Sequence, residues 1–147
     1  MNDNNVKVEM TTISENVSFA RIAITGFIAP LDPTVEESTD IKTAVSEAVT
    51  NAIIHGYHGY DTAEGIVKMC MSSQGRKIII EISDSGVGIE DVDAVREPMF
   101  TTKPDLERSG LGFTVMESFM DTVEVKSAPG EGTTVILTKT LGEVSVL

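Results

Sequence analysis

The sequence predicts an α/β protein, a two-layer sandwich in which a mixed sheet carries helices on one face. Three observations predict it. Five short segments alternate apolar with polar residues or run apolar between turn residues, as strands do. Three others repeat apolar residues at helical spacing. Their order, β-α-α-β-β-loop-α-β-β, is one of hairpins with few helices, which suits a single sheet covered on one side.

Val6, Val8 and Met10 alternate with Lys7, Glu9 and Thr11, a half-buried strand. Ser14 is positioned as an N-cap, and Phe19, Ile22, Ala23, Gly26 and Phe27 then recur at helical spacing. Pro30 to Pro33 interrupts that helix. A longer helix starts near Thr34, with Glu37 as its capping-box partner. Its apolar positions are Ile41, Ala44, Val45, Ala48, Ala52 and Ile53, and Gly56 stops it. Tyr57 to Glu64 reads as a polar loop.

Ile66 to Ser72 and Lys77 to Ser83 read as strands joined around Gln74-Gly75. A short helix is expected near Asp91 to Arg96, then a mobile loop from Pro98 to Ser109. Phe113 to Met120 is helical by its spacing. Thr122 to Ser127 and Thr133 to Thr140 form a last hairpin about Pro129-Gly130.

The 147 residues fit one domain, 1–147, with one core. Hydrophobic residues make up 41% and charged residues 23%, ordinary for a globular chain. No apolar run is long enough to span a bilayer, and Met1 to Val8 lacks a secretory pattern. A cytoplasmic location is therefore expected. Cys70 is the only cysteine, so no internal disulfide forms, in keeping with a reducing compartment. The net charge of −12 opposes binding to nucleic acid and to anionic lipid, and favours encounter with a basic protein partner. The ordinary reading is simple solubility, and charge alone favours that reading.

Four motifs carry chemistry. Glu47 and Asn51 are four residues apart on the long helix and so share a face. An amide oxygen suits Mg²⁺, and a carboxylate suits a general base. Asp84-Ser85-Gly86-Val87-Gly88 follows a strand. Its carboxylate can accept from an exocyclic amine such as that of adenine, and its glycines allow close approach to a flat ligand. Ser109-Gly110-Leu111-Gly112-Phe113 opens a helix, whose free N–H groups attract phosphate. Lys103 and Arg108 add positive charge just before it. Gly130-Glu131-Gly132-Thr133-Thr134 leads into a strand, with a threonine hydroxyl to offer an adenine edge. Singly, each has an ordinary reading: a solvated glutamate, an asparagine near a helix end, a turn after a strand, a hairpin, two loop cations. His55 and His58 read as helix-end and loop residues with no metal-ligand set.

In this order the motifs resemble the GHKL ATPase/kinase superfamily, the Bergerat fold of type-II topoisomerases, MutL proteins and sensor histidine kinases. No P-loop or protein-kinase signature is present. Glu15 to Arg21, Ser46 to Tyr57 and Phe100 to Gly110 resemble more narrowly the sporulation anti-sigma-F family of serine kinases.

That resemblance implies an ATP-bound homodimer that sequesters a sporulation sigma factor. It also implies phosphorylation of a serine on a small anti-anti-sigma protein, with ATP and ADP forms differing in partner affinity. Glu47 would be the general base and Asn51 the Mg²⁺ ligand. Asp84, Gly86, Gly88 and Thr133 or Thr134 would hold adenine. Lys103, Ser109, Gly110, Leu111, Gly112 and Phe113 would lie along the phosphates, Arg108 at the terminal one. Arg21 would contact both protein partners. A switch kinase for another client, such as a general-stress sigma-B type, shares this chemistry. A nucleotide-gated binding module without kinase activity would not need Glu47 as a base.

Overall fold

The computed structural model describes residues 3–56, 65–84, 112–127 and 130–143. Its sheet contains β1 (Asn4–Thr11), β2 (Ile66–Gln74), β3 (Lys77–Asp84), β4 (Thr122–Ser127) and β5 (Thr133–Thr140). Their spatial order is β1-β2-β3-β5-β4, and the four ladders between them are antiparallel. Three α-helices of the described residues, α1 (Glu15–Ile28), α2 (Val35–Gly56) and α3 (Gly112–Phe119), complete the expected sandwich.

Strand alternation decides which face is covered. Val67, Met69 and Met71 of β2, Ile78, Ile80 and Ile82 of β3, and Val135 and Leu137 of β5 are buried toward the helices. Each fully buried isoleucine contributes roughly 2 kcal/mol of apolar transfer. Intervening residues such as Lys68, Glu81 and Thr138 lie on the other face. Between β2 and β3 the two-residue turn is Gly75-Arg76, and Gly75 takes the positive φ (59°) that such a tight hairpin demands.

Helix α2 lies across this core. Ile41, Ala44, Val45, Ala48, Ala52 and Ile53 are all buried, as their spacing predicts. Its start is a complete capping box. Thr34 N donates to Glu37 Oε1 (2.9 Å), and Glu37 N donates to Thr34 Oγ1 (3.0 Å). The second carboxylate oxygen, Glu37 Oε2, accepts from Gly142 N (2.8 Å). The backbone N–H groups of Thr34 and Gly142 hold the Glu37 carboxyl below its ordinary value.

Helix α1 corrects the sequence reading in two respects. Its buried side is Ala20, Ile24, Phe27 and Ile28, whereas Phe19 (48% exposed) and Ile22 (71%) face outward. The apolar residues occupy more than one side of the helix, and packing selects the stripe that fits α2. Ser14 precedes the helix but makes no side-chain cap; its hydroxyl donates to Glu15 Oε1 (3.3 Å). Asn16 Nδ2 instead ties the first turn to Thr11 O (2.8 Å).

The loops expected over Tyr57–Glu64 and Pro98–Ser109, the helix expected near Asp91–Arg96 and residues 144–147 lie outside the described residues.

Candidate functional site

The ends of the elements determine what can meet. Asp84, last in β3, pairs in register with Thr133, first in β5. Ser127, last in β4, pairs with Thr133 from the other side. One end of the sheet thus gathers Asp84, Thr133 and Ser127.

Helix α2 starts at the opposite end. Arg76, in the β2–β3 turn, donates through Nη1 to Leu31 O (2.7 Å), just before α2, and through Nε to Gly142 O (2.6 Å). With the Glu37–Gly142 bond, these contacts fix the beginning of α2 beside that turn. From there Asn51 lies about 21 Å along the helix axis from Glu37. Asp84 lies about 26 Å along the strand from Arg76. The second half of α2, with Glu47 and Asn51, therefore reaches the Asp84 end.

Helix α3 runs the other way. Phe119 O, near its C-terminus, accepts from Lys139 Nζ (2.7 Å), a cation where the helix dipole favours one. Asp121 N donates to Thr138 O (2.9 Å), and Asp121 Oδ2 accepts from Thr140 N (2.7 Å). The N-terminus of α3, with buried Gly112 and Phe113, consequently opens toward the Asp84 end. Helix α2 packs on both α3 and β3.

Asn51 is buried, and its Oδ1 has no hydrogen-bond partner among the described residues. A buried amide oxygen left without a partner costs about 1–3 kcal/mol. Such an oxygen fits a hard cation, which is satisfied by oxygen donors. Among the described residues no group of three or more His, Cys, Asp or Glu side chains converges. Glu47, one turn earlier on α2, is half-buried.

The two threonines of the last motif part company. Thr133 pairs with Asp84 on the helix-covered face, and Thr134 pairs with Ser83 on the opposite face. Of the two, only Thr133 is brought to the site. Gly86, Gly88, Lys103, Arg108, Ser109, Gly110 and Leu111 lie outside the described residues. Arg21, Phe19 and Ile22 are all exposed on α1.

Two features escaped the sequence reading. The helical spacing of Phe19, Ile22, Ala23, Gly26 and Phe27 misses the buried stripe of Ala20, Ile24, Phe27 and Ile28 except at Phe27. Ser127 carried no motif signal, and only the β4–β5 register brings it to Thr133. Among the described residues no helix is long and apolar enough to cross a membrane.

Residues 12–139 match the family model of the histidine kinase-like ATPase domain. The chain is 51% identical over 145 residues to a protein of Clostridium kluyveri named anti-sigma F factor, covering 99% of this chain and 100% of that one. It is 54% identical over 144 residues to a Bacillus cereus protein of the same name, covering 98% and 97%. Among solved structures, the RsbU and RsbW domains of Rv1364c from Mycobacterium tuberculosis superimpose with a TM-score of 0.65 at 18% identity, over 94% of this chain and 32% of that one. The catalytic domain of the histidine kinase ThkA gives a TM-score of 0.57 at 18% identity, over 96% and 97%. At these identities the two structures show a shared fold alone.

Proposed function

This chain belongs to the histidine kinase-like ATPase family, with anti-sigma F factors as full-length relatives, and from that premise we propose a nucleotide-switched anti-sigma factor that is also a protein-serine kinase. It sequesters a sporulation sigma factor as a homodimer. It inactivates a small anti-anti-sigma protein by phosphorylating one of its serines. The observation that carries the nucleotide site is Asn51 Oδ1, buried without a hydrogen-bond partner among the described residues. It lies at the end of the sandwich to which Asp84 and the α3 N-terminus also point.

Asp84 and Thr133 receive the adenine edge, together with Gly86 and Gly88. The amides of Gly112 and Phe113 at the start of α3, together with Gly110 and Leu111 that precede them in sequence, receive phosphate oxygens. Asn51 holds Mg²⁺, which when bound neutralises charge on those oxygens. Glu47 accepts the proton of the substrate serine as its hydroxyl attacks the terminal phosphorus and ADP departs. Lys103 and Arg108 add positive charge along the phosphates. Arg21, exposed on α1, offers a cation for a protein partner.

Incubation with labelled ATP and the anti-anti-sigma protein tests the kinase. Label should appear on a partner serine with the parental chain. With Glu47→Gln it should be lost by roughly 10²–10⁴-fold, the usual worth of a general base, with ATP still bound. Transfer by Glu47→Gln at the parental rate would remove the base assignment. Sigma-factor capture in ATP and in ADP tests the switch; equal capture would contradict it.

A further inference from the structure

Ser127 ends β4 directly opposite Thr133. Its Oγ donates to Gly132 O (2.9 Å) and lies 2.8 Å from Thr133 Oγ1. A carbonyl oxygen can only accept, so the single hydroxyl proton of Ser127 is committed to Gly132. In the Ser127–Thr133 pair the donor is then Thr133. Its proton points to β4, and its lone pairs remain for whatever lies before it.

Asp84 stands in register with Thr133 on the same face. An ionised carboxylate also only accepts. Two neighbouring acceptors match a ligand edge that carries two protons on one nitrogen, a 6-amino purine. They oppose a 6-oxo purine, whose oxygen would meet lone pairs. Selectivity of this kind is strong where a built site leaves a polar group unpaired against the wrong ligand.

We propose that Ser127 is a positioning residue for purine selectivity, locking the Thr133 hydroxyl as an acceptor so that the site takes 6-amino and rejects 6-oxo nucleotides. This rests on the nucleotide site proposed above. Removing the Ser127 hydroxyl frees the Thr133 proton to turn toward the ligand.

The test measures affinities for ATP and inosine triphosphate in the parental chain and in Ser127→Ala, Ser127→Thr and Thr133→Val. The ATP-to-inosine-triphosphate preference should fall by at least about tenfold in Ser127→Ala, the worth of one hydrogen bond. Ser127→Thr, which keeps a hydroxyl, should restore the preference. In a Thr133→Val background, Ser127→Ala should change the preference no further, since the two act as a unit. A loss of preference that persists without Thr133 would mark Ser127 as merely structural and overturn the proposal. An unchanged preference in Ser127→Ala, with ATP bound by the parental chain, would overturn the proposal and leave the nucleotide site standing. Failure of the parental chain to bind ATP would overturn both.

Discussion

Asp84 and Thr133 face each other across the β3–β5 ladder, on the side of the sheet that carries the helices. One residue on, Ser83 and Thr134 face each other on the side that does not. Thr133→Val should therefore weaken ATP by about tenfold, one lost hydrogen bond. Thr134→Val should leave affinity within about twofold, as expected of a residue outside the site. Calorimetric titration of both variants checks the contrast, and equal losses would contradict the placement.

Asn51 sets function against stability. Its buried Oδ1 has no partner among the described residues. Asn51→Leu removes a desolvated oxygen and should raise unfolding stability of the nucleotide-free chain by about 1 kcal/mol. The same change should abolish the dependence of ATP binding on Mg²⁺. Urea unfolding reads the first and titration with and without Mg²⁺ the second. A destabilised variant that keeps its Mg²⁺ dependence would show that the oxygen serves the fold.

Glu37 carries the pH dependence of α2. Its carboxyl is held below the ordinary value by N–H groups of Thr34 and Gly142. Its stabilisation is therefore complete above the unfolded-state value and is lost as pH falls through the lowered, folded-state value. Between neutral and acid pH, Glu37→Gln should lose less stability than the parental chain in urea unfolding. Thr34→Ala, which deletes the other half of the box, should cost about 1 kcal/mol at neutral pH. Identical acid slopes for the parental chain and Glu37→Gln would show that the carboxylate charge contributes nothing.

Arg21 is exposed, at the edge of the buried stripe of α1. Arg21→Ala should weaken capture of the sigma factor by at least about tenfold, as expected of an interface arginine, with nucleotide affinity unchanged. Sigma-factor capture and ATP titration on the same preparation separate a contact role from a folding one.

Legibility in the sequence followed the range of the interactions. Helix α2 was readable because its buried stripe and its Thr34–Glu37 box are local patterns. The hairpin strands were readable for the same reason. Helix α1 was misphased because Phe19 and Ile22 are as apolar as the residues that pack, and only docking on α2 chooses between stripes. Thr133 and Thr134 were indistinguishable because strand register decides the face, and a slip of one residue exchanges them. The Glu47–Asn51 pair was visible as a spacing. That Asn51 is buried, its Oδ1 without a partner among the described residues, is a tertiary fact.

Calorimetric titration of ATP with Mg²⁺ into the parental chain and into Asp84→Asn tests the central claim most directly. The account predicts saturable binding by the parental chain, weakened in Asp84→Asn by about 1–3 kcal/mol, the worth of a hydrogen bond to a charged group. No saturation by the parental chain, or equal affinity in the two, would contradict it.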